Sequence, residues 1–136
     1  MINITHSKID TGQVLQHASS LEGGAICVFI GTVRNKTANK RVVRLEYEGY
    51  EPMAVKELEK ILAEAKRRWP VIRLAICHRL GTLHLGDEAV VVAVSTPHRK
   101  ESFEACQFVI DTLKQTVPIW KKEVFEGGEE WVSAHP

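Results

Sequence analysis

Two lysines separated by a proline are the first residues that suggest chemistry. Lys114 lies late in an amphipathic stretch, Pro97 to about Thr116, whose apolar stripe is Phe103, Cys106, Val109, Ile110, Leu113 and Val117. At about 100° per residue Lys114 falls on the edge of that stripe, so its stem can pack on apolar surface while its amine reaches a cleft. Pro118 stops the helix and Lys121 follows, so the chain must turn and the two amines can converge. Converging, half-buried cations lower each other's pKa, which suits a lysine to acid/base or nucleophilic work near neutral pH. On a strand Lys121 and Lys122 face opposite sides, so only one of them joins Lys114. The bland alternative for Lys114 is a surface lysine favouring a helix C-terminus.

A second set suits anions. His98 and Arg99 stand where a helix begins, and a helix start presents free N–H groups and partial positive charge. Arg99 adds a bidentate donor for phosphate or carboxylate. Arg34 follows Gly31-Thr32-Val33 at the end of an apolar strand, and Gly31 permits close approach by a ligand or another strand. Arg34, Lys36, Lys40, Arg41 and Arg44 form a cationic cluster without an acid, which is otherwise a solvated basic loop.

Composition narrows the classes. The chain has 136 residues, 44% hydrophobic and 26% charged, which suits one soluble globular domain over 1–136 and excludes disordered, collagen-like and coiled-coil chains. The net charge of +1 excludes a bulk polycation. No apolar run approaches the roughly 20 residues of a membrane span, and no basic segment precedes a long apolar one as in a secretory signal. Cys27, Cys77 and Cys106 are odd in number, lack a CxxC pair and sit in apolar segments, so buried free thiols in a reducing cytoplasm are expected. Phosphate-loop, dinucleotide and nucleophile-elbow motifs are absent, and Cys77-His78 is too isolated for a zinc site. The basic segment carries no interleaved aromatic of the kind that stacks on bases.

These residues need a frame. Asp10 caps a short helix to about Ser20; Ala25–Arg34 is a strand; Asn35–Lys40 is a polar, basic loop. Val43, Leu45 and Tyr47 alternate with polar residues as a half-buried strand. Pro52 opens a long helix that Pro70 stops, and a strand runs from Ile72 to about Arg79. Gly81 and Gly86-Asp87 punctuate a hairpin-like stretch, and Ala89–Ser95 is an uninterrupted, central strand. After the second long helix, Ile119–Phe125 and Glu130–Val132 flank a Gly127-Gly128 hairpin turn. The irregular spacing predicts an α+β fold with a mixed or antiparallel sheet and two long helices.

Taken together, several segments resemble the catalytic (large) subunit of molybdopterin synthase. They are Phe29-Ile-Gly-Thr-Val-Arg34, Leu45-Glu-Tyr-Glu-Gly-Tyr-Glu-Pro-Met-Ala54, His78-Arg-Leu-Gly81, His98-Arg99 with Ser102-Phe103, Asp111-Thr-Leu-Lys114, Val117-Pro-Ile-Trp-Lys-Lys-Glu123, and Trp131-Val132. They run in order through about residues 25–132, and their spacing as a set is specific. The resemblance implies a hammerhead-like β subdomain and a homodimer with a small ubiquitin-like subunit at each end, a heterotetramer. It implies transfer of sulfur from the thiocarboxylated Gly-Gly tail of that subunit to cyclic pyranopterin monophosphate (precursor Z), making the dithiolene of molybdopterin. Lys114 and Lys121 would be catalytic, and Arg34, His98 and Arg99 would hold the phosphate. Thr32, Val33, Lys122 and Glu123 would be lesser substrate contacts. No metal, cofactor, membrane or nucleic acid is required. One departure concerns an arginine that family members often carry a few residues beyond the Trp-Val pair, reaching a neighbouring subunit's pocket; here the stretch reads Ser133-Ala134-His135-Pro136, in which His135 is a weak substitute and only when protonated. The alternative function is a non-catalytic module that binds a phospho-ligand or RNA through residues 34–44, with Lys36, Lys40, Arg41 and Arg44 on a flat exposed face.

Overall fold

A computed structural model describes residues 1–133. Two long helices form where apolar residues recur at helical spacing between breakers. α1 (Thr11–Ala18) is capped by Asp10, whose side chain accepts from the Gln13 N–H. α2 (Glu51–Arg68) has Pro52 in its first turn and buries Ala54, Leu58, Ile61 and Ala65. α3 (Arg99–Thr116) buries Ala105, Cys106, Val109, Ile110 and Leu113. Phe103, expected on this stripe, is 60% exposed, and Ser102 is buried instead with its hydroxyl donating to the Arg99 carbonyl.

The first sheet contains β1 (Ile2–Thr5), β2 (Ala25–Thr32), β5 (Arg73–Arg79) and β7 (Glu88–Thr96), in the order β1-β5-β7-β2. β1, which the residue pattern did not reveal, runs parallel to β5; β2 and β5 run antiparallel to β7. β7 is buried along almost its whole length, as its unbroken apolar run predicted. One face of this sheet packs on α2 and α3 around Leu58, Ile76, Val92 and Val109; the other packs on α1 around Val14, Ala75 and Val91. Cys77 and Cys106 are buried thiols, whereas Cys27 is only half-buried. Burial pushes both buried thiols up, Cys106 to about 12 with Cys27 adding to the effect.

The second sheet is the β subdomain. Its order is β3 (Lys36–Thr37), β4 (Lys40–Gly49), β8 (Ile119–Phe125) and β9 (Gly128–Ser133), with β6 (Gly81–His84) also on β4. The expected basic loop is in fact the β3–β4 hairpin, turned through Ala38 and Asn39 at φ 48° and 68°. A register shift between Val42 and Arg44 turns Val42 inward and leaves Val43 exposed, against the simple alternation.

Candidate functional site

A cleft of about 370 Å³ opens between the two sheets and the last turns of α3. Three cations reach it from three elements: Arg34 beyond β2, Lys114 near the end of α3, and Lys121 on β8. The turn at Val117-Pro118 is what brings the second lysine back. Antiparallel pairing of β8 with β4 then fixes its register, with Lys121 opposite Tyr47 and Glu123 opposite Leu45. Because strand side chains alternate, Ile119, Lys121 and Glu123 face the cleft together.

Lys122 consequently lies on the other face, within 3.8 Å of Glu46 and 3.7 Å of Glu129 and over the Trp131 ring. Its side chain does not join the cleft, a correction to its expected contact. Val33 is corrected likewise. Its N–H donates to the Asp87 carbonyl, its carbonyl accepts from Gly86, and its side chain is buried with Leu45 and Leu83. Thr32 and Arg34, on either side of it, line the cleft.

His98 and Arg99 stand elsewhere. They are exposed at the start of α3, and Lys114 is fifteen residues on, roughly 22 Å along a helix rising 1.5 Å per residue. The expected five-residue pocket is therefore split within one chain. His135 lies outside the described residues. Of the remaining basic cluster, Arg41 lies 3.9 Å from Glu126, Arg44 lies 3.3 Å from Glu46, and Lys40 sits over the Phe125 ring. Lys36, Lys40 and Arg41 are nonetheless exposed on the β3–β4 hairpin, with Arg44 half-buried beside it.

The lining residues differ in depth. Arg34 is exposed, Lys114 and Lys121 are half-buried, and Glu123 and His78 are buried. Lys121 Nζ lies 3.5 Å from Glu123 Oε1, giving the buried carboxylate a counter-charge. His78 and Tyr47 also line the wall, their rings edge-to-face with centroids 5.3 Å apart. Burial pushes the His78 imidazole down to about 4, opposed by its hydrogen bond to the Arg79 carbonyl. That ring is therefore neutral, and its Nδ1–H donates to the carbonyl over 2.9 Å. Burial, and secondarily the charge of Glu123, pushes the Tyr47 phenol up to about 12. Neither Tyr47 nor His78 is singled out by residue type or spacing; the signal was only their inward alternation on β4 and β5.

Three cations and a buried ion pair thus meet in one cleft, an arrangement chemically suited to small anions. The family model described as MoaE protein matches residues 4–116. The molybdopterin synthase catalytic subunit of Bacillus subtilis is 52% identical over 129 residues, covering 95% of this chain and 82% of that protein. Molybdopterin synthase from Staphylococcus aureus superposes with a TM-score of 0.91 at 42% identity, covering 95% of this chain and 94% of that one. A chain from the complex of subunits 1 and 2 of molybdopterin-converting factor of Helicobacter pylori superposes with a TM-score of 0.79 at 27% identity, over 96% and 89% of the two chains. By sequence and by fold, the chain belongs to the MoaE family of molybdopterin synthase catalytic subunits.

Proposed function

We propose that this protein, as a single cytoplasmic domain over residues 1–136, transfers sulfur from the thiocarboxylated tail of a small ubiquitin-like subunit to cyclic pyranopterin monophosphate. Both reactants are anions, and the observation that carries the proposal is the convergence of Arg34, Lys114 and Lys121 in one cleft of a MoaE-family chain. Lys114 lies beside the tail carboxyl end and assists sulfur transfer. Lys121, paired with Glu123, serves the pterin as an acid/base or electrostatic group. Arg34 and Thr32 hold the phosphate at the mouth. The free thiols Cys77 and Cys106 are held protonated by burial, so they are poor nucleophiles.

His98 and Arg99 enter this scheme from a second copy of the chain. Among the described residues β2 has one unpaired edge, and on its α1-side face Ile26 and Ile30 are 44% and 40% exposed. Two copies pairing antiparallel along β2 set the Ala25 end of one against the Thr32 end of the other. The Ala25 end carries His98 with it, because Ala25 pairs with Thr96 at the end of β7. A homodimer of that kind supplies His98 and Arg99 to the neighbour's Arg34, and two small subunits complete a heterotetramer.

The test is reconstitution: thiocarboxylated small subunit, cyclic pyranopterin monophosphate and this protein, with molybdopterin as readout. Lys114→Ala and Lys121→Ala are each expected to cut the rate at least a hundredfold, the size of losing a positioned acid/base or electrostatic group. Ile30→Glu is expected to give monomers by sedimentation and to lose activity with them. Undiminished product from both lysine variants sinks the role assignment; an active monomer sinks the shared site.

A further inference from the structure

We propose that Tyr47 is a positioning residue for the Lys121–Glu123 pair: its hydroxyl is the uncharged polar neighbour that steadies the buried carboxylate and, through it, holds the ammonium toward the cleft. This rests on the functional reading above and adds a residue to it. The placement follows from register. Tyr47 sits directly opposite Lys121 across the β4–β8 ladder, and Leu45, two residues away on the same face, sits opposite Glu123. Tyr47 is therefore the cross-strand neighbour of the ammonium and the diagonal neighbour of the carboxylate, within reach of a long side chain.

Glu123 needs such a neighbour. A carboxylate this deeply buried is costly unless charge and hydrogen bonds offset its lost hydration, and Lys121 is its single ion-pair partner among the described residues. Lys114 also lines the cleft but comes from α3 and makes no ion pair with Glu123. The phenol stays protonated, pushed up to about 12 by burial and by the charge of Glu123, so it sets a hydroxyl and no second negative charge near the carboxylate. Its ring is also held still. His78 packs edge-on against it, at 72° between planes, and is itself fixed by the Arg79 carbonyl. A phenylalanine would fill the same space, so the hydroxyl is what packing alone does not require.

Tyr47→Phe tests this with two measurements, each compared with the unaltered protein after matched thermal melts establish equal folding. In the first, proton exchange of the Lys121 ammonium is followed by NMR on ¹⁵N-lysine-labelled protein, with Lys121→Arg identifying the signal. Exchange is expected to quicken several-fold in Tyr47→Phe, because a less well-held carboxylate grips the ammonium less. Unchanged exchange overturns the proposal whether or not the protein turns over. In the second, the reconstituted reaction is expected to lose about tenfold in kcat with KM for the pterin within twofold. A loss confined to KM, or none, also overturns it. Absence of product from the unaltered protein would instead overturn the functional reading, and the exchange measurement would still decide Tyr47.

Discussion

Acid should unfold this protein partly through one histidine. His78 is 4% exposed and neutral, with its midpoint lowered to about 4 from the ordinary 6.5. A base whose folded midpoint is depressed binds more protons when unfolded, throughout the interval between the two values. Stability is therefore complete above pH 6.5 and is lost as the pH falls toward 4. Linkage gives a loss of about 2 kcal/mol by pH 5 and about 3 kcal/mol by pH 4 from this group. The clean perturbation is His78→Asn, whose amide N–H can replace Nδ1–H toward the Arg79 carbonyl but does not titrate. Urea unfolding of both proteins from pH 7.5 to 4 separates the cavity cost, which is constant with pH, from the protonation term, which is not. The two stability curves should converge by about 3 kcal/mol across that range. Parallel curves would refute the buried, neutral imidazole.

Three further outcomes are expected. Lys121→Ala leaves Glu123 buried without its counter-charge and should cost about 1–2 kcal/mol at pH 7 in chemical denaturation; adding Glu123→Gln should restore stability but not turnover. Lys122→Ala should leave the reconstituted rate within about twofold, since its amine lies on the face away from the cleft. Gly24→Ala should lower the melting temperature by well over 5 °C, roughly 2 kcal/mol or more, because the new Cβ would lie 2.2 Å from the Pro97 carbonyl oxygen, and backbone on either side resists moving.

Much of the frame is local and was legible in the residues. The apolar stripes of α2 and α3, the Asp10 cap, Pro52 and Pro118, and the unbroken run of β7 depend on neighbours within a turn or two, and period and breaker residues report such neighbours directly. The opposite facing of Lys121 and Lys122 followed from strand alternation alone. The family resemblance, carried by ordered motifs, pointed to Arg34, Lys114 and Lys121. Other features were matters of register between distant segments. β1 is four residues long and acquires its strand geometry by pairing with β5, some seventy residues away. Tyr47 becomes a neighbour of Lys121 only through the β4–β8 ladder, and the bulge at Val42–Arg44 decides which side chains of β4 point inward. His98 and Arg99 show the converse. They share a helix with Lys114, which suggested a shared pocket, but a helix is a stiff rod and its two ends cannot meet within one chain. Residue periodicity and breakers set the long helices, most of the strands and the residue types of the site. The tertiary structure decided which of those residues share a cleft, because periodicity encodes the face a side chain takes and carries no information on what is packed against that face.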